Sequence, residues 1–134
     1  MTHLYSVVVL SALLVSIPAS VQLTIAGHYW CEGINPDGST YKGQVEIVAQ
    51  GDLWSLRWDF GNGASGAVIG LLDAEGILSV IFQTSEGAIG LASYRVEREG
   101  SSTVRLVGRW TVPGDPAGRV LTEVLTLVSL RAGR

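Results

Sequence analysis

The sequence predicts an all-β chain: an eight-stranded antiparallel up-and-down (meander) β-barrel after an N-terminal signal segment. Three observations carry this expectation. Short runs of alternating apolar and polar residues recur about every dozen residues, and no segment beyond the start sustains a helical period. Turn-forming clusters stand between the runs. Glycines fall inside strands at Gly43, Gly70, Gly90 and Gly108, where a strand must bend sharply or approach its neighbour closely. Eight strands with uniformly short links leave two unpaired edges unless the sheet closes. Closure encloses an interior wide enough for side chains or one small ligand. A β-sandwich is the alternative arrangement.

The elements follow in order. Residues 1–26 read as a signal peptide: the first twenty contain no Lys, Arg, Asp or Glu, and the apolar run 4–17 suits a signal core but is short for a bilayer span. Small residues at Ala19 and Ala26 offer two cleavage points. An uncleaved membrane anchor is the alternative, and in both cases the rest of the chain is exported, to the periplasm or beyond. The domain is expected over 27–134, with strands at 28–34, 41–50, 53–60, 65–72, 77–84, 88–97, 103–112 and 119–130. The first link, Asn35-Pro36-Asp37-Gly38, matches a type I turn closed by a glycine bulge: Pro36 has the fixed φ of the second corner, and Gly38 tolerates positive φ.

Alternation also assigns faces. Trp54, Leu56, Trp58 and Phe60 share one side of their strand, as do Tyr41, Gly43, Val45, Ile47 and Ala49, and Val104, Leu106, Gly108, Trp110 and Val112. These are the expected interior. The opposite faces carry Lys42, Glu46, Arg57, Asp59, Arg105 and Arg109, which leaves no continuous apolar band for lipid and argues for a soluble barrel over an outer-membrane one. In the last strand one face is apolar apart from Glu123 and the other apart from Thr122 and Thr126. Either Leu121, Glu123, Leu125 and Leu127 face inward, or Val120, Thr122, Val124, Thr126 and Val128 do.

Composition narrows the chemistry. Nine basic and twelve acidic residues are scattered singly, for a net charge of -3, which argues against nucleic acid or an anionic membrane surface as partner. Cys31 is the only cysteine, so no intramolecular disulfide can form. His28 and Cys31, three apart in a strand, point to opposite faces and cannot act as a thiol and its base; Cys31 is expected as a small buried hydrophobe. With one histidine and one cysteine past the signal, no metal site is expected, and no cofactor either. Gly61-Asn62-Gly63-Ala64-Ser65-Gly66 spells a dinucleotide-binding fingerprint, but that motif must open a helix, and β-branched, glycine-interrupted residues follow. It reads as a hairpin.

Glu123 is the one carboxylate expected on a potentially buried face, where it needs hydrogen-bond partners. A structural pairing is the first reading and a ligand contact the second. The expected site residues are therefore interior: Trp54, Trp58, Trp110, Tyr41 and Glu123, with core filling as the alternative for the indoles. No catalytic set converges. The expectation is an exported, non-enzymatic binding module for a small apolar or aromatic ligand or for an extracellular protein. The alternatives are an envelope protein with a filled interior, or an enzyme using Glu123 with Tyr41 or Tyr94.

Gly27, Tyr29, Cys31, Gly33, Asn35-Pro36-Asp37-Gly38-Ser39, Tyr41 and Gly43, followed by Leu53-Trp54, Trp58, Gly108-Arg109-Trp110 and Thr122-Glu123, resemble a group of small exported bacterial proteins, some labelled fibronectin-binding-like. Cys31 stands where that pattern has an aliphatic residue. The resemblance implies a barrel opened by the first hairpin. Gly27-His28-Tyr29 and Arg131 are also similar to the avidin and lipocalin barrels, which implies architecture and no ligand residues.

Overall fold

A computed structural model describes residues 24–61, 68–84 and 86–130. The strands are β1 (Gly27–Ile34), β2 (Thr40–Gln50), β3 (Leu53–Asp59), β4 (Val68–Leu72), β5 (Ile77–Gln83), β6 (Ile89–Glu99), β7 (Ser102–Thr111) and β8 (Leu121–Ser129). Each pairs antiparallel with the next, and β8 returns to pair with β1, closing the barrel. The predicted meander barrel is the fold. The signal segment 1–23, most of the Gly61-to-Gly66 motif and Arg131 lie outside the described residues.

Turn chemistry sets the register. In the first hairpin Gly38 N–H donates to the Asn35 carbonyl at 2.9 Å, Asn35 N–H donates to the Ser39 carbonyl at 2.8 Å, and Gly38 has φ 87°. This is the expected type I turn with a glycine bulge. Asp37 Oδ1 accepts from the Ser39 amide at 2.9 Å and from its hydroxyl at 2.5 Å, and these bonds hold the Asp37 carboxyl below its ordinary range. The same closure recurs at Asp73 to Ile77 and at Thr84 to Ala88, so three of the links hold their strands in one way.

The inward faces follow the expected alternation, with three corrections. Phe60 lies past the end of β3 and is 45% exposed, so it is not core. In β7 the buried residue near the start is Thr103, while Val104 is only half-buried. The register explains this: Glu97 opposes Arg105 and Arg98 opposes Thr103, leaving Val104 as an extra, bulged residue that reverses the alternation. Ala49, near the end of β2, is exposed. In β8, Leu121, Glu123, Leu125 and Leu127 are the inward set.

One end of the barrel is filled. Tyr29, Ile47, Leu56, Leu78, Leu106 and Leu125 are fully buried, and the segment before β1 crosses beneath them. Ile25 is fully buried there; its carbonyl accepts from the Tyr29 hydroxyl at 2.8 Å, and Thr103 Oγ1 donates to the Thr24 carbonyl at 2.9 Å. Burying an isoleucine contributes on the order of 2 kcal/mol, so residues 24–26 are part of the fold.

Candidate functional site

Four interior glycines have the same local purpose, which alternation alone does not reveal. A Cβ on Gly33 would meet the Tyr41 ring, one on Gly43 the Phe60 ring, one on Gly90 the Phe82 ring, and one on Gly108 the Tyr94 ring, each within 2.6 Å of a ring atom. Each glycine leaves bare backbone on which an aromatic ring lies, from a neighbouring strand at Gly33, Gly90 and Gly108 and from the residue just past β3 at Gly43. Of the four glycines expected from sequence to allow bending or close approach, Gly43, Gly90 and Gly108 work this way. Gly70 instead makes room for Leu78.

Two of these ring-and-glycine pairs flank Glu123. Gly33 of β1 is paired on one side with Tyr41 of β2 and on the other with Glu123 of β8. Gly108 of β7 is likewise paired with Tyr94 of β6 and with Glu123. Tyr41, Gly33, Glu123, Gly108 and Tyr94 therefore form one cross-strand row over five adjacent strands. Each tyrosine reaches over its glycine to the same carboxylate: Tyr41 donates to Oε1 at 3.0 Å and Tyr94 donates to Oε2. Cys31, one inward position before Gly33, donates its thiol to Oε1 at 3.0 Å, and the Trp58 indole lies beside the same sulfur. The cluster spans the seam where the first strand meets the last.

Electrostatics follow from burial. Glu123 is 5% exposed, and among the described residues no Lys or Arg is buried, while the outward His28 Nε2 meets Gln44 Oε1 at 2.8 Å. The carboxylate is thus held by neutral donors alone. Desolvation, then repulsion from Glu123, pushes the Cys31 thiol and the Tyr41 and Tyr94 phenols far above their ordinary values. All three stay protonated at neutral pH. A thiol so held is no nucleophile, because the thiolate is the reactive form. Cys31, expected as a buried hydrophobe, is buried and also a donor.

Above this cluster, toward the end opposite Ile25, four rings pack edge to face. Phe60 meets Tyr41 with ring centroids 5.6 Å apart, Tyr41 meets Trp110 at 6.4 Å, and Trp110 meets Phe82 at 6.0 Å. Tyr41, Trp110 and Phe82 are half-buried, so the belt is reached by solvent. The Trp110 indole N–H lies close enough to the Tyr41 hydroxyl to offset a little of its rise, yet without the geometry of a hydrogen bond. It is a buried donor without an acceptor among the described residues.

The expected site residues separate accordingly. Tyr41, Trp58, Trp110 and Glu123 come together, whereas Trp54 pairs with Ala49 and Gly70 toward the filled end and stands apart. Phe60 and Phe82 belong to the belt and were not among the site residues expected from sequence. Their signal is the partner glycine, Gly43 or Gly90, which is readable only once the register is known. Among the described residues no group of three or more His, Cys, Asp or Glu is placed to hold a metal. Compared with known proteins, the chain matches no family model, no curated protein and no solved structure.

Proposed function

We propose that this chain is an exported, non-enzymatic β-barrel binding module that takes a small apolar or aromatic ligand at its aromatic end. One observation carries the reading. Fully buried side chains fill one end of the barrel, and at the other a belt of four half-buried or exposed rings packs over a single buried carboxylate, with the Trp110 N–H lacking an acceptor among the described residues. Rings stacked edge to face offer a planar guest both faces and edges. The neutral state of Cys31, Tyr41 and Tyr94 argues against acid-base or thiol chemistry in the cluster.

A second reading, an extracellular protein surface as partner, is favoured by the outside of β4 to β6. Ile69, Ile81 and Leu91 oppose one another in register, with Leu71 and Ile89 beside them, and all five are more than half exposed. The adjacent rows add uncharged polar residues, Ser79 and Ser93 on one side and Gln83 opposite Ile89 on the other. Elsewhere the outer surface carries ion pairs such as Arg105 with Glu97 at 2.7 Å. Exposed apolar patches of this kind mark interaction sites, and the fibronectin-binding-like label of the proteins it resembles suits that reading.

One titration separates the two. The neutral fluorophore N-phenyl-1-naphthylamine is expected to bind the purified protein and to lose affinity at least about tenfold in Trp110→Leu, a difference of roughly 1.4 kcal/mol, while Ile81→Lys leaves it unchanged. Loss in Ile81→Lys with Trp110→Leu intact would move the site to the outer face.

Export carries its own prediction. Cleavage after Ala26 would remove Ile25 and the Thr24 carbonyl that Thr103 binds, so the fold favours cleavage after Ala19. Intact mass of the exported protein is expected to show Ser20 as the first residue. A chain beginning at Gly27 would contradict the role given to residues 24–26.

A further inference from the structure

We infer that the ligand of the aromatic end is a protonated amine on an apolar or aromatic body. The inference rests on the reading of that end as a binding site. Among the described residues Glu123 is the buried acid without a cation beside it: its carboxylate is held by two phenols and a thiol, whereas the Asp115 side chain, 6% exposed, pairs with Arg119. A carboxylate offers about four acceptor positions. Three are taken, and one remains for an ammonium N–H.

The surroundings carry the same sign. Aromatic faces present negative charge density, and Tyr41 and Trp110 stand between Glu123 and solvent. A cation over such rings gains cation–π attraction, which grows when water is excluded. An anionic ligand such as a fatty acid meets repulsion from both the rings and the carboxylate. The Trp110 N–H, without an acceptor among the described residues, adds a donor that an oxygen or nitrogen acceptor on the ligand body can satisfy. Together these groups make an apolar, electronegative end of the barrel, suited to a compact ammonium carrying a ring or short hydrocarbon.

Three probes of one shape isolate the charge: phenethylamine, 2-phenylethanol and phenylacetate, titrated by calorimetry at pH 7 into the protein starting at Ser20. The amine is expected to bind about tenfold or more tighter than the alcohol, with phenylacetate weakest. Glu123→Gln, checked for a native circular dichroism spectrum, is expected to erase the difference between amine and alcohol. Should that variant fail to fold, the ranking in the unmodified protein decides alone. An alcohol that binds as well as the amine, or an amine preference that survives in folded Glu123→Gln, overturns the inference; N-phenyl-1-naphthylamine binding that still depends on Trp110 would then leave the site reading standing. If none of the three probes binds, the inference falls, and loss of the fluorophore as well removes the site reading with it.

Discussion

Glu123→Ala is expected to lower the stability of the barrel by about 4 kcal/mol, a large part of what a domain of this size possesses. The substitution leaves the buried Tyr94 phenol, the half-buried Tyr41 phenol and the buried Cys31 thiol without their acceptor, and a buried orphan costs about 1–3 kcal/mol. A cavity adds to the loss. Glu123→Gln should cost roughly half as much, because the amide oxygen still accepts one phenol while its NH2 faces donors. The triple change Glu123→Leu, Tyr41→Phe, Tyr94→Phe should be milder than Glu123→Ala, since replacing a whole buried polar cluster by apolar groups avoids orphaned partners. Urea unfolding followed by tryptophan fluorescence measures all three. A Glu123→Ala variant within about 1 kcal/mol of the parent would show that the cluster does not hold the β1/β8 seam.

The second large effect concerns a residue with no side chain. Gly108→Ala is expected to destabilise by about 3 kcal/mol, at the upper end for overpacking, because the new methyl would stand 2.3 Å from Tyr94 Cδ1. The ring must move, and its hydroxyl leaves Glu123. Gly108 shows no positive φ, so the cost arises from contact with the ring and not from backbone strain. The same substitution should therefore cost far less in a Tyr94→Leu background. Equal costs in both backgrounds, measured as a double-mutant cycle, would sink this explanation.

How much of this was legible in the sequence varies with the physics of each element. Period-two alternation with turn chemistry suffices for eight strands and for the Asn35-Pro36-Asp37-Gly38 hairpin, because both are local. The inward face of β8 was not legible, since Leu121, Leu125 and Leu127 alternate with Val120, Val124 and Val128 and both sets are apolar. Burial of Glu123 with its partners decides it. Pairing register is the missing quantity. Gly33 and Gly108 look like unrelated mid-strand glycines until β1, β8 and β7 are laid side by side, and only then do they bracket Glu123. The bulge at Val104 hid Thr103 for the same reason, because an extra residue changes which face the alternation names. Trp54 and Trp58, alike in sequence pattern, part company because four residues of extended chain span about 13 Å.

The central claim is that a buried carboxylate is held by protonated phenols across the closing seam, and alkaline titration tests it most directly. The chain starting at Ser20 contains three tyrosines, Tyr29, Tyr41 and Tyr94, and burial raises all three above the ordinary value, with Glu123 adding to the rise for the last two. A raised phenol pKa means that the folded state holds the proton more tightly, so this contribution to stability is complete below the unfolded value of about 10 and is lost as pH climbs toward the folded values. Absorbance at the tyrosinate band should stay flat through pH 10 and then rise in one step, coincident with loss of the far-ultraviolet β signal. Two phenols ionising near pH 10 while the barrel remains folded would contradict the account.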